Sequence, residues 1–97
     1  MRIAALASAY KLPIHPHSSM TGINMAATIH FLAAIDNGGY FEGDVSKANK
    51  FRDELCSTPY QMDRDGNVRP LEKPGLGLEI NEEFLAKHPP IEGPGYI

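Results

Sequence analysis

The segment Thr21–Ile35 is apolar on nearly every side, and this restricts the folds open to the 97-residue chain more than any other feature. On a helix, Ile23, Ala26, Ala27, His30 and Ala34 form one stripe, and Met25, Ile29, Leu32 and Ala33 form another. Together the stripes cover most of the circumference, so the helix needs neighbours on several sides. A domain of this size buries only somewhat over ~60% of its unfolded surface and hardly supplies them.

The flanks of that helix define its setting. Before it, Leu12–His17 reads as a short strand, in which Pro13 and Pro16 cannot donate to a ladder and so limit pairing. After it, Asp36-Asn37-Gly38-Gly39 is a stop signal, because glycine and asparagine take the left-handed conformation at little cost. Gly38–Asp44 then reads as a second short strand centred on Tyr40–Glu42. A connection that contains a helix favours a parallel pair with a right-handed crossover. The fold class is therefore α/β, with one βαβ unit of a larger barrel. Each strand is tipped with ionisable groups, His15 and His17 on the first, Glu42 and Asp44 on the second. Such folds keep their chemistry at strand ends.

The remaining segments are shorter. Residues 2–10 form a helix with Ile3, Leu6, Ala7 and Tyr10 on one face, ended by Lys11 and Pro13. The same start mimics a signal peptide, but the helical face is the preferred reading, since removal would leave a still smaller protein. Ser18, Ser19 or Thr21 caps the long helix. Ser46–Leu55 is a polar loop with one helical turn, and Arg64-Asp65-Gly66 closes a hairpin between Tyr60–Asp63 and Asn67–Arg69. Lys73–Ile80 is a glycine turn running into a short strand, with Gly75 and Gly77 as backbone turn positions. Asn81 caps a last helix, Glu82–His88, which Pro89-Pro90 ends, and Ile91–Ile97 is an extended tail.

Charge and cysteine content exclude several function classes. A net charge of −3 and the lack of any Lys/Arg cluster argue against nucleic acid as a partner. The apolar stretch is broken by Asn24, Thr28 and His30 and is too short to span a bilayer, so no membrane partner is expected. Cys56 is alone, which rules out an intrachain disulfide and makes a reducing cytoplasm the default location.

The candidate site residues each have a plain reading and a chemical one. Histidine titrates nearest neutrality and suits proton transfer in both directions; by itself, His17 reads as a surface histidine at a helix start. His15 lies two residues earlier on the same face of a strand. His-x-His at a strand end also suits a shared metal, with Glu42, Asp44 or His30 completing the shell of a metal-dependent hydrolase. His30, on an apolar stripe, reads as a packed histidine. Glu42 alone is a solvated carboxylate, although glycines on both sides of Tyr40-Phe41-Glu42 signal a close approach there. Asp44 reads as a turn residue.

Two stretches carry a family resemblance. The run Ala-Leu-Ala-Ser-Ala-Tyr-Lys-Leu-Pro-Ile-His-Pro-His, ending at His17, resembles the approach to the seventh barrel strand in mandelate-racemase-like and muconate-lactonizing members of the enolase superfamily. Pro70–Asn81, Pro-Leu-Glu-Lys-Pro-Gly-Leu-Gly-Leu-Glu-Ile-Asn, resembles the C-terminal signature that follows the last strand and packs on the capping domain. The chain is most similar to the acid-sugar dehydratases. The resemblance implies the last two strands and helices of a (β/α)8 barrel in residues 1–55, and a C-terminal hairpin and arm in 56–97 that pack toward a capping domain. It implies an enzyme that removes the proton α to a carboxylate of a sugar-acid substrate, with the enediolate held on Mg2+. His17 falls on the catalytic histidine. Glu42 falls on the acid that hydrogen-bonds the substrate carboxylate.

The metal carboxylates, the lysine base and the aspartate that orients the histidine belong to earlier strands, outside these residues. A whole barrel needs ~250 residues. No cofactor is therefore expected for this chain alone, and no dehydration. The reading from another class is a shortened, non-catalytic protein that self-associates, as a homo-oligomer, through exposed strand edges and its apolar helix.

Overall fold

The computed structural model describes residues 1–93. In chain order the helices are α1 (Arg2–Ala9), α2 (Gly22–Ala33), α3 (Lys50–Asp53) and α4 (Glu82–Ala86). The extended tail expected at Ile91–Ile97 lies partly outside the described residues.

Helix α1 ends where expected, by a device that glycine usually supplies. Lys11 takes φ 58°, in the left-handed region. Its N–H donates to Ser8 O at 2.8 Å, and the Leu12 N–H donates to Ala7 O at 2.9 Å. These are the two bonds of a Schellman stop. The helix packs through Ala4, which is 2% exposed. Of the face expected from Ile3, Leu6, Ala7 and Tyr10, Ala7 is half-buried while Ile3, Leu6 and Tyr10 point outward, with exposures of 80%, 63% and 73%.

The two expected strands shrink to one parallel bridge between Ile14 and Gly38. Ile14 N–H donates to Asn37 O at 2.9 Å, and Gly39 N–H donates to Ile14 O at 2.9 Å. Pro16 lacks the N–H that the next rung would use, so the ladder cannot lengthen there. The pairing falls on Gly38 and not within Tyr40–Glu42, so the second strand is displaced toward the helix. Asn37 ties the unit together, its Nδ2 donating to Ala4 O at 3.1 Å and to Leu12 O at 2.9 Å.

Helix α2 forms the centre. Thr21 is its cap, accepting from Asn24 N–H at 3.0 Å. Ser18 does something else: it is 1% exposed, and its hydroxyl accepts from Asn24 Nδ2 at 3.3 Å and lies 3.4 Å from Thr28 Oγ1, which donates to it. Met25, Ala26 and Ile29 face the core, and Gly22 touches Cys56 and Arg52 so closely that a Cβ would lie 2.6 Å from the Cys56 Sγ.

The C-terminal part closes on this centre. Cys56 bridges Ile80 antiparallel, and Met62 bridges Val68 antiparallel around the expected hairpin. Asn81 caps α4 as expected, accepting from Phe84 N–H at 3.1 Å, while its Nδ2 donates to Glu54 O at 3.1 Å. Phe84 is buried and meets Phe51 edge-on at 5.3 Å and His88 face-on at 4.2 Å. Gly75 and Gly77 occupy the expected turn, both at positive φ.

Candidate active site

The end of the first extended segment and the end of the second meet at one place. The Ile14–Gly38 bridge aligns the two segments in parallel, so the residues that follow each leave in the same direction. Three residues past the bridge on one side stands His17; four past it on the other stands Glu42. His17 Nδ1 donates to Glu42 Oε1 at 2.9 Å. Ser19 Oγ lies 2.9 Å from the other ring nitrogen, Nε2. The structure thus brings the two sequence-predicted residues together, although they are separated by 25 positions.

His15 is held differently. Tyr40 N–H donates to its Nδ1 at 2.8 Å, and its ring stacks on Tyr40 at 5.5 Å. Gly39 allows this, since a Cβ there would overlap the His15 ring. The glycines flanking Tyr40-Phe41-Glu42 do mark close approaches, Gly39 to His15 and Gly43 to the Tyr60 hydroxyl.

The metal-dependent hydrolase reading is not supported. One imidazole is committed to a backbone N–H and the other to a carboxylate. Among the described residues no group of three or more His, Cys, Asp or Glu side chains could hold a metal. His30 does not complete a shell, and its Nε2 is buried without a hydrogen-bond partner among the described residues.

Asp44 is more than a turn residue. Its Oδ1 accepts from Ser46 N–H at 2.9 Å, and its Oδ2 accepts from Ser46 Oγ at 3.0 Å and Asn49 Nδ2 at 2.7 Å. The Asn49 bond, the Ser46 bonds and the nearby Arg52 charge hold its carboxyl at about 2, well below the ordinary 3.8. Arg52 is clamped in turn, donating from Nη1 to Asp44 O at 3.0 Å and Ser46 O at 2.9 Å. The Asp53 carboxylate pushes its guanidinium up.

Asn49 connects this cluster to the histidine loop. Its Nδ2 lies 3.3 Å from Ser19 O and 3.1 Å from Met20 O, and its Oδ1 caps α3 by accepting from Arg52 N–H at 3.2 Å. Sequence reasoning passed over Asn49. The available signal was an asparagine directly before a short helical turn, the ordinary place for a cap.

The arrangement can move a proton but does not enclose a substrate. The side chains of His17 and Glu42 are 71% and 59% exposed. An open groove of about 460 Å3 runs beside α2 and is lined by Ile29, Leu32, Tyr40, Phe41 and Tyr60, among others, but by neither His17 nor Glu42. Nor do the residues fit Mg2+, which takes several hard oxygen ligands at one point. Glu42 is engaged by an imidazole, and the Asp44 oxygens are filled by Ser46 and Asn49.

Comparison with known proteins agrees with the resemblance seen in the sequence. The family described as enolase C-terminal domain-like matches residues 1–84. D-galactonate dehydratase of Pectobacterium atrosepticum is 33% identical over 88 residues, covering 87% of this chain and 23% of that protein. D-mannonate dehydratase of Caulobacter vibrioides is 34% identical over 90 residues, covering 91% of this chain and 22% of that protein. Among solved structures, a member of the enolase superfamily from Polaromonas sp. JS666 superposes with a TM-score of 0.82 at 56% identity, over 99% of this chain and 25% of that one. An enolase of the mandelate racemase subgroup from Agrobacterium tumefaciens superposes with a TM-score of 0.69 at 25% identity, over 82% of this chain and 21% of that one. The chain therefore spans less than a quarter of the length of these two dehydratases.

Proposed function

The chain belongs to the enolase C-terminal domain-like family, and from that premise we propose that it is the closing part of a barrel enzyme that removes the proton α to a carboxylate and dehydrates a sugar acid. Residues 1–55 supply the last βαβ portion of the barrel, and residues 56–97 the hairpin and arm that face a capping domain. His17 carries the proton, and Glu42 is the acid beside it. The observation that carries this reading is the 2.9 Å contact between His17 and Glu42 at the ends of two parallel segments, within a chain whose named relatives are sugar-acid dehydratases.

The chain does not do this chemistry alone. Removing a proton beside an ionised carboxylate concentrates negative charge, and stabilising that charge is usually the largest catalytic term. The charged group in contact with His17 is the Glu42 carboxylate, itself negative, and the described residues hold no cluster of metal ligands. Magnesium, if the whole enzyme uses it as the resemblance implies, is bound by residues outside these 97. It would supply that charge stabilisation.

A chimera tests the reading. The corresponding quarter of the Pectobacterium D-galactonate dehydratase is replaced by this chain, and folding is checked by circular dichroism and size-exclusion chromatography. The expected result is galactonate dehydration that disappears in His17→Ala. A folded, active chimera indifferent to His17→Ala would remove His17 from the chemistry.

The alternative, a non-catalytic chain that self-associates, draws on one observation. Ile3, Leu6 and Tyr10 on α1 form an outward apolar stripe. It describes the same chain in isolation and is compatible with the enzyme reading for the whole.

A further inference from the structure

Asn37 holds helix α1 against the start of the second extended segment, and it stands in the sequence context that makes an asparagine most labile. Of the five asparagines it alone precedes a glycine, Gly38; bulkier residues follow the other four. With no Cβ beside it, a glycine nitrogen reaches the preceding side-chain amide more freely than that of any other residue. Packing imposes both members of the pair. A Cβ on residue 38 would lie 2.7 Å from Leu32 O at the end of α2, so only glycine passes there. Residue 37 donates twice from one group, Nδ2 to Ala4 O at 3.1 Å and to Leu12 O at 2.9 Å, which an amide can do and a carboxylate cannot.

We propose that Asn37 is a self-modification site, at which succinimide formation and hydrolysis turn the amide into a carboxylate and release α1. The Gly38 nitrogen gives up its proton and attacks Asn37 Cγ. The N–Cγ bond forms, the Cγ–Nδ2 bond breaks, and Nδ2 leaves as ammonia with the proton. Water then opens the ring. Aspartate results when the new N–Cγ bond breaks, and isoaspartate when the original peptide bond breaks. The net change is water consumed and ammonia released, with no oxidation or reduction.

The fold restrains one partner in this reaction and not the other. In the parallel bridge Ile14 N–H donates to Asn37 O and Gly39 N–H donates to Ile14 O, so the Gly38 N–H faces away from Ile14. The amide is held, because swinging Cγ onto the Gly38 nitrogen breaks both Nδ2 bonds. The ring therefore closes in the minority of molecules in which α1 has lifted. Charge then prevents α1 from docking again. The new oxygen would face the Ala4 and Leu12 carbonyls where Nδ2 stood, and Asn37 Oδ1 is already buried with no donor among the described residues. A buried charge without partners is costly. The adjacent Asp36 carboxylate, which accepts from Ser8 Oγ at 2.7 Å, adds a second negative charge. Isoaspartate also routes the main chain through Cβ and displaces the carbonyl to which Ile14 donates. The modification thus loosens both α1 and the bridge that aligns the two site segments, whatever reaction the site serves.

The test ages the full chain at mildly alkaline pH, with and without urea, and reads tryptic peptides by mass spectrometry. Peptide Leu12–Lys47 carries Asn37 together with Asn24, which serves as an internal control. The mass shift of the amide-to-acid change should appear at Asn37 before any other asparagine. It should be roughly tenfold or more slower without urea, since two hydrogen bonds must first break. In the aged fraction the amides of α1 should exchange faster with solvent while those of α4 are unchanged, and an encoded Asn37→Asp chain should show the same loosening. Deamidation led by another asparagine, equal rates with and without urea, or an aged or Asn37→Asp chain with α1 as protected as in the parent would overturn the proposal.

Discussion

Asn49 donates to Asp44 at 2.7 Å and, with the same amide group, reaches the Met20 carbonyl at 3.1 Å. One side chain therefore joins the segment after Glu42 to the segment after His17. Its carbonyl end caps α3. The loop that carries His17 and Ser19 is held by this amide on one side and by buried Ser18 on the other.

Asn49→Ala should therefore act on both stability and the histidine loop. Losing the cap costs about 1 kcal/mol, and the freed Ser19 and Met20 carbonyls add to it. Urea unfolding reads the loss. Faster amide exchange over residues 18–22, with α4 unaffected, reads the loosening. A variant as stable as the parent would mean that the amide does not tie the segments.

Acid should weaken the chain through Asp44. Its folded value of about 2 lies below the ordinary 3.8. A carboxyl whose value is depressed by folding contributes stability that is complete above its unfolded value and is lost as pH falls through the folded one. The window is thus from about 4 down to about 2. Thermal melts across this range should show a falling Tm that is flatter in Asp44→Asn. Parallel curves for parent and variant would assign the acid sensitivity elsewhere.

Lys11 is an ordinary L-residue in a left-handed position. Glycine there removes a steric penalty of about 1 kcal/mol, partly offset by greater freedom in the unfolded chain. Lys11→Gly is expected to raise Tm by a few degrees, for a gain of about 0.5 kcal/mol. A lower Tm would mean that the lysine side chain makes a stabilising contact of its own.

The outward stripe on α1 predicts association of the isolated chain. Leu6→Glu places a charge in the middle of Ile3, Leu6 and Tyr10 without touching buried Ala4. Sedimentation velocity should show the parent as a mixture of larger species and Leu6→Glu shifted toward monomer. A monomeric parent would remove the self-association reading.

Incubated with Mg2+ and a panel of aldonic and aldaric acids, the purified chain should form no keto acid. Turnover by a monodisperse monomer, abolished in His17→Ala, would show that the 97 residues hold a complete site.

Much of this protein is legible along the chain because the deciding interactions are short. Asn81 caps α4 through an N–H three residues on, so residue type and spacing suffice to place it, whereas for α2 they leave Ser18, Ser19 and Thr21 and the structure selects Thr21. The stop after α1 and the hairpin around Gly66 are equally local. The strands are not. Ile14 has a donor and an acceptor, but Pro16 lacks the N–H that the next rung would use, and only the folded chain shows that the partner of Ile14 is Gly38.

The site divides in the same way. The sequence by itself determined that His17 and Glu42 stand at the ends of two segments joined by an apolar helix, because hydrophobic pattern and turn residues place those ends. Only the tertiary structure decided that Glu42 meets the His17 ring, that His15 turns to the Tyr40 backbone, and that Asp44 is bound up with Asn49 and Arg52. The His17–Glu42 and His15–Tyr40 contacts each span 25 residues, and each depends on which of several polar groups lies within 3 Å once α2 has packed. Residue type alone does not distinguish among those groups.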